Sequence, residues 1–248
     1  MNVLGIFAKH PQPGRVKTRL AADVGPDAAA ALYAAFVADL LERFRDVGER
    51  RIIGYAPAES AAREYFHAQA DAYELWPQPE ADLGDRIAAF FDHAFASGGE
   101  RVVLIGSDSP TLPAGHVQAA FAALHDHDCA IGPATDGGYY LIALRSPCRE
   151  LFAGISWGGP DVLRQTVERV AESRLSLALG PVWYDVDAVC DLQFLSGHLA
   201  ALHAAGEANV APRTARALSS LCEFRRGNAD SADRSDSRGR EWQNDSVV

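Results

Sequence analysis

The sequence predicts an α/β sandwich, a sheet of mainly parallel strands with helices on both faces, and three observations carry that prediction. Short β-rich runs alternate with amphipathic helical stretches through residues 1–222. Two of the runs, VLGIFA (3–8) and RVVLIGSD (101–108), are almost wholly apolar, as strands covered on both faces are. No repeat of about 20–50 residues is visible, which argues against a solenoid or propeller.

The strand candidates, in order, are 3–8, RIIGYA (51–56), YELWP (73–77), 101–108, CAIGPA (129–134) and YYLIALR (139–145). Between the first two, Asp27 to Arg45 carries Leu32, Phe36, Leu40 and Phe44 at spacing four, with Val37 and Leu41 beside them. That is the apolar stripe of a helix packed on a sheet. Similar helices are expected over 82–97, 113–125, 160–172 and 189–205, with Pro113 and Pro160 at first-turn positions that lack no needed N–H. Residues 223–248 mix both charge signs with Ser, Gly and Asn and offer little to bury, so they read as a disordered tail on a single domain of residues 1–222.

Composition narrows the function. The 248 residues are 48% hydrophobic and 23% charged, which is enough for one large core. Net charge is -10, which argues against general affinity for nucleic acid or anionic membranes and requires any anionic ligand to be gripped locally. Cys129, Cys148, Cys190 and Cys222 form no CxxC pair, and nothing reaches about 18 uninterrupted apolar residues. A soluble, cytoplasmic protein with reduced thiols and no membrane insertion is expected.

In such sheets ligands gather beyond the carboxyl ends of the strands. The segment KHPQPGRVKTRL (9–20) follows the first strand and holds Lys9, Arg15, Lys17 and Arg19. Of 23 basic residues only two are lysines, and both lie here. An ammonium suits diphosphate oxygens as a point charge, and loop N–H groups add donors. Val16 stands where a Walker A motif needs glycine, so an ATPase is not indicated.

LIGSDSPTLP (104–113) ends a strand at Asp108, which can hold a divalent cation bridging two phosphates, or can cap the next helix. GPATDGGYYLIAL (132–144) reads as a hairpin whose turn carries Asp136, Gly137 and Gly138; the glycines permit positive φ and close approach of a ligand. VWYDVDAVCDL (182–192) sets Asp185 and Asp187 on one face of an extended segment, so that a second carboxylate reaches the same cation or Asp187 caps the following helix. ADLGDRI (81–87) opens a helix with Arg86, facing a ribose, a base or solvent, and ISWGGPDVL (155–163) offers an acceptor wall. No HExxH, GxSxG or GxGxxG pattern is present, so zinc, hydrolase-triad and dinucleotide readings lack support.

Taken together and in order, FAKHPQPGRVKTRLA, ADLGDRI, LIGSDSPTL, GPATDGGYYLIAL, ISWGGPDVL and YDVDAVCDL resemble a family of bacterial glycosyltransferase-A-like proteins, some of them assigned to arsenosugar biosynthesis. The resemblance covers about residues 1–205 and extends to small nucleotidyltransferases. It implies a Rossmann-like three-layer α/β sandwich with a mixed, mainly parallel sheet of the nucleotide-diphospho-sugar transferase type. It also implies Mg²⁺ or Mn²⁺, a nucleotide or nucleotide-sugar donor and a small-molecule acceptor. Gly14, Lys17 and Arg19 match its nucleotide-phosphate loop, Asp108 and Asp187 its metal-binding aspartates, and Asp136 and Tyr139 fall near the transferred group.

Asp108 is followed by Ser109-Pro110 instead of the Asp-x-Asp of glycosyltransferases, a form nearer the nucleotidyltransferase branch. Three functions follow: glycosyl transfer from a nucleoside-diphosphate sugar, with Lys17 and the metal stabilising the leaving group and Asp136 serving the acceptor; nucleotidyl transfer with release of pyrophosphate; or nucleotide binding without turnover.

Overall fold

The computed structural model describes residues 1–207 and 209–221. The domain boundary at 222 and the tail expected over 223–248 lie outside the described residues. Strands β1 (Asn2–Lys9), β2 (Arg50–Ala56), β3 (Glu74–Pro77), β4 (Arg101–Ile105), β5 (Cys129–Pro133), β6 (Tyr139–Leu144) and β7 (Leu177–Leu179) form one sheet in the order β3-β2-β1-β4-β6-β5-β7. Pairing is parallel for β1 with β2 and β4, for β2 with β3, and for β5 with β7; β6 is antiparallel to both β4 and β5. Every strand but β6 therefore points the same way, and their carboxyl ends share one rim.

Helices α1 (Thr18–Val24), α2 (Pro26–Arg43), α3 (Ser60–Gln69), α4 (Leu83–Ala96), α5 (Ala114–Ala123), α6 (Val162–Glu172) and α7 (Val189–Ala204) cover the sheet. Side chains alternate along each strand, and the two resulting faces have separate cores. Leu4 and Ile6 of β1 and Val103 and Ile105 of β4 pack with Phe36 and Leu40 of α2, Phe66 of α3 and Phe121 of α5. Val3, Val102 and Leu104 pack on the other face with Phe90 and Phe91 of α4 and Val170 of α6. A Cβ at Gly5 would lie 2.1 Å from Phe90 Cζ, so glycine is what lets α4 sit on the middle of the sheet. No described helix is long and apolar enough to cross a membrane.

The expected α/β sandwich is the observed one, and the expected elements lie within a few residues of their predicted bounds. Five elements escape the sequence reading: α1, α3, β7, a 3₁₀ turn over Arg149–Phe152 and a helix over 212–221. α3 buries only Ala62 and Phe66, too little to print an apolar stripe, and β7 is three residues long. The run 101–108 is a strand only to Ile105. Gly106 keeps one bond, its amide donating to the Tyr140 carbonyl at 3.2 Å, and Ser107 and Asp108 then leave the ladder, which brings Asp108 to the rim.

Candidate functional site

Because β1, β4 and β5 run in parallel, the loops that follow them, 10–17, 106–113 and 134–138, emerge side by side and line a cleft of about 920 Å³. Its lining includes Lys9, Lys17, Arg19, Arg86, Asp108, Asp136, Gly138, Tyr139, Asp185 and Asp187. Gly14, Arg15 and Gly137 are not part of that lining. Gly14 and Arg15 are exposed on the loop before Val16, which dives into the core.

Lys17 is the centre of one half of the cleft. It caps the start of α1 in the left-handed region, φ 47° and ψ 45°, a conformation that costs a non-glycine residue about 1–2 kcal/mol. Its side chain is only 3% exposed, and its ammonium forms ion pairs with Asp108 and, at 2.7 Å, with Asp187. The ammonium also lies 5.7 Å from the Tyr33 ring centroid. Burial disfavours the charge, yet the two carboxylates outweigh it and hold Lys17 above its ordinary value. Lys17 is therefore a fixed cation, not a proton donor. Tyr33 joins it from α2: its hydroxyl contacts Ser107 Oγ at 2.7 Å and accepts from the Lys9 amide at 2.9 Å. Burial, with Asp108 nearby, pushes Tyr33 up to about 12.

The loop carrying Asp108 is tied to the segment carrying Asp187. The Val186 amide donates to the Asp108 carbonyl at 2.9 Å, Ser109 donates to the Asp185 carboxylate, and the Thr111 and Tyr184 hydroxyls meet at 2.6 Å. From behind, Arg43 of α2 donates to the carbonyls of Pro110 and Leu112, each at 2.9 Å. Neither aspartate acts as a helix cap: α5 starts behind Pro113 with no side-chain cap, and at α7 it is Asp191 that accepts from the Asp187 and Ala188 amides, at 3.0 and 2.8 Å. Both carboxylates are about two-fifths exposed and open to the cleft.

Asp185 is the residue that the sequence reading leaves without a role of its own. It is largely buried, and burial, reinforced by the negative charges of Asp108 and Asp136, raises its carboxyl to about 6 despite Ser109 and Lys17. Its signal in the sequence, spacing two from Asp187, was there; what decides its state is the company of Asp108 and Asp136, distant along the chain.

Among the described residues no three or more His, Cys, Asp or Glu side chains are grouped to hold a metal ion. The donor set fits a hard cation in a narrower sense. Mg²⁺ is commonly held by one or two carboxylates, its shell completed by water and substrate phosphates. Asp108 and Asp187, converging on one ammonium and half-open to the cleft, are such a pair.

The other half of the cleft lies over the opposite face of the sheet. Asp136 is exposed, and one carboxylate oxygen accepts from the Gly138 amide at 2.9 Å, the short turn that the Asp-Gly-Gly run predicts. Gly137, at φ +93°, presses on Pro160: a Cβ there would lie 2.1 Å from the Pro160 carbonyl oxygen. The Leu163 amide donates back to the Gly137 carbonyl at 2.9 Å. The turn and residues 157–160 thus form one wall. Trp157 meets Tyr139 edge-on at 6.4 Å and lies over Gly84 of α4. The Tyr139 ring lines the cleft while its hydroxyl is buried beside Thr166 of α6. Arg86 lines the same side, with its Nε donating to the Ala81 carbonyl at 2.7 Å.

A model of a bacterial family, DUF2064, described as uncharacterised proteins conserved in bacteria, matches residues 40–159. No curated protein matches the sequence. Among solved structures, a protein from Desulfovibrio desulfuricans G20 described as a candidate nucleotide-diphospho-sugar transferase is 38% identical, with a TM-score of 0.79, over 89% of this chain and 97% of its own. A nucleotidyl transferase from Methanothermobacter thermautotroptrophicus is similar in fold, at TM-score 0.53 and 13% identity over 80% of this chain and 97% of its own. So is a CMP:2-keto-3-deoxy-manno-octonic acid synthetase complexed with CTP, at TM-score 0.52 and 12% identity over 80% and 98%. The fold is that of nucleotide-diphospho-sugar transferases and nucleotidyltransferases.

Proposed function

Because the chain belongs to the DUF2064 family of bacterial proteins and is 38% identical to a candidate nucleotide-diphospho-sugar transferase, we propose that it is a transferase working on a nucleotide-activated donor, transferring a glycosyl group from a nucleoside-diphosphate sugar to a small acceptor. The observation that carries this reading is the convergence of Lys17, Asp108 and Asp187 at the rim of the sheet, from segments 170 residues apart in the case of Lys17 and Asp187.

Asp108 and Asp187 would hold Mg²⁺ or Mn²⁺, which when bound would supply positive charge against the departing diphosphate. Lys17 keeps the two carboxylates together and offsets their charge, so that an anionic donor is not repelled. Lys9 and Arg19, exposed at the mouth, take the phosphate oxygens that reach outward. At the opposite wall Asp136 accepts the hydrogen bond of the acceptor hydroxyl with the carboxylate oxygen that Gly138 leaves open. The acceptor oxygen forms a bond to the anomeric carbon, the bond from that carbon to the β-phosphate oxygen breaks, and its electron pair leaves with the nucleoside diphosphate. The hydroxyl proton passes to Asp136 and from there to water.

One feature favours a second reading. The loop is Asp108-Ser109-Pro110, so that Pro110 stands where an Asp-x-Asp loop has its second aspartate, while Ser109 donates to Asp185. In that reading a nucleoside triphosphate is attacked at its α-phosphorus by a phosphorylated acceptor and pyrophosphate leaves. Incubation with Mg²⁺ or Mn²⁺ and panels of nucleotide sugars and triphosphates separates the two. Free nucleoside diphosphate supports glycosyl transfer, pyrophosphate supports nucleotidyl transfer, and binding with neither product leaves a binding module.

A further inference from the structure

Hydrogen bonds within the chain fix the direction of one hydroxyl proton at the rim. Tyr33 of α2 is bonded both to the end of β1 and to the loop after β4, and it is only 3% exposed. Its oxygen accepts from the Lys9 amide at 2.9 Å and lies 2.7 Å from Ser107 Oγ. A phenol carries one proton, which burial keeps on the oxygen at neutral pH. A buried donor left without an acceptor is destabilising. Among the described residues, Ser107 Oγ is the acceptor that the Tyr33 proton can reach. Tyr33 therefore donates to Ser107, and the proton of Ser107 must go elsewhere.

The protein supplies no place for it. Ser107 is 3% exposed and lines the cleft, and its hydroxyl meets no carbonyl or carboxylate among the described residues. Ser109, two residues on, gives its proton to the Asp185 carboxylate; Ser107 has no such partner. A buried hydroxyl with a defined donor direction and an unfilled acceptor position is a half-made hydrogen bond, and a ligand completes it.

Position identifies the ligand atom. Ser107 directly precedes Asp108, and the Tyr33 ring lies 5.7 Å from the Lys17 ammonium, so this hydroxyl belongs to the corner where Lys17, Asp108 and Asp187 meet. Lys17 is already engaged by both carboxylates there. A neutral hydroxyl adds a bond to an incoming anion without another charge to balance, and a hydroxyl-to-anion bond is about twice as strong as one between neutral groups.

We propose that Ser107 is a nucleotide-binding residue that donates its hydroxyl proton to a phosphate oxygen of the donor, and that Tyr33 is the positioning residue that aims it. The Lys9 amide, the Tyr33 hydroxyl, the Ser107 hydroxyl and the phosphate oxygen then form one chain of donors, each polarised by the one before. This assignment rests on the nucleotide-donor reading above and serves a nucleoside-diphosphate sugar and a nucleoside triphosphate alike.

The test is calorimetric titration of the full chain with panels of nucleoside diphosphates and triphosphates, with and without Mg²⁺. It compares the parent with Ser107→Ala, Tyr33→Phe and the double variant, with urea midpoints recorded for each. Failure of the parent to bind any nucleotide would overturn the donor reading and this assignment with it; every other outcome concerns the assignment alone. Ser107→Ala is expected to weaken the tightest nucleotide by about 10-fold or more, and Tyr33→Phe by about 3-fold. The double variant should bind no more weakly than Ser107→Ala, because Tyr33 acts through Ser107. Mg²⁺ should tighten binding by the same factor in Ser107→Ala as in the parent, which separates loss of the hydroxyl from a disturbed Asp108. If Ser107→Ala does not fold, Ser107→Cys, whose thiol is a weak donor, takes its place in the comparison. Equal affinity of the parent and the Ser107 variant, effects that multiply in the double variant, or a lost Mg²⁺ response in the Ser107 variant would overturn the assignment.

Discussion

The two halves of the cleft are held together by different forces. Around Lys17 the structure is electrostatic: a buried ammonium, two carboxylates from distant loops, and hydrogen bonds from Ser109, Val186 and Arg43 that fix those loops. Around Trp157 it is mainly steric: Gly137 packs against Pro160 and Gly84 lies under the indole. One region is thus shaped by partnered charges from distant loops, the other by close backbone packing.

The largest effect that separates the halves is expected from Lys17→Met. It leaves Asp108 and Asp187 facing each other without their common cation, and transfer should fall by about 100-fold or more. Metal-free stability should fall by about 2–3 kcal/mol, less than for a fully buried pair because both carboxylates are half-open. Mg²⁺ should then stabilise the variant more than it stabilises the parent, which urea unfolding with and without metal measures. Equal metal stabilisation of the two proteins would contradict the idea that ammonium and metal serve the same carboxylates.

Gly137→Ala attacks the steric half. The added Cβ cannot coexist with the Pro160 carbonyl and is strained at φ +93°, so a loss of about 2 kcal/mol is expected in unfolding experiments. Transfer should drop while nucleotide affinity, measured by calorimetry, stays within about 2-fold. A parallel loss of nucleotide binding would show that the halves are not separable.

A smaller effect belongs to Asp185→Asn. The folded carboxyl titrates at about 6 against an ordinary 3.8. The folded state therefore binds the proton more tightly, and its stability is fullest below the lower value and declines as pH rises through the upper one. The asparagine variant lacks this decline. Allowing for the weakened bond to Ser109, metal-free Asp185→Asn should be more stable than the parent by about 1–2 kcal/mol at about pH 8. The gain should vanish near about pH 4. A pH-independent difference in urea midpoints would refute this.

The same contrast explains how far the sequence could be read. The apolar runs of β1 and β4 and the stripe Leu32, Phe36, Leu40 predict the sandwich because periodicity is a local property. The Asp136-Gly137-Gly138 turn is legible for the same reason. α3 and β7 are not, since neither buries enough to leave a pattern. At the site, Lys17, Asp108 and Asp187 stand out by residue type and by position after strands, but their meeting at one point depends on strand order, which no local pattern states. The cap that Asp187 could have formed is supplied by Asp191, a choice between two nearby carboxylates that spacing leaves open. Asp185 escaped because burial among carboxylates, not its own identity, makes it unusual.

The central claim is that Asp108 and Asp187, drawn together by Lys17, form a metal-dependent seat for a nucleoside diphosphate. Calorimetric titration of nucleoside diphosphates into the intact protein and into Asp108→Ala, each with and without Mg²⁺, tests it most directly. The metal is expected to tighten binding to the parent by about 10-fold or more and to have no such effect in Asp108→Ala. Equal affinity of the two proteins in the presence of Mg²⁺ would contradict it.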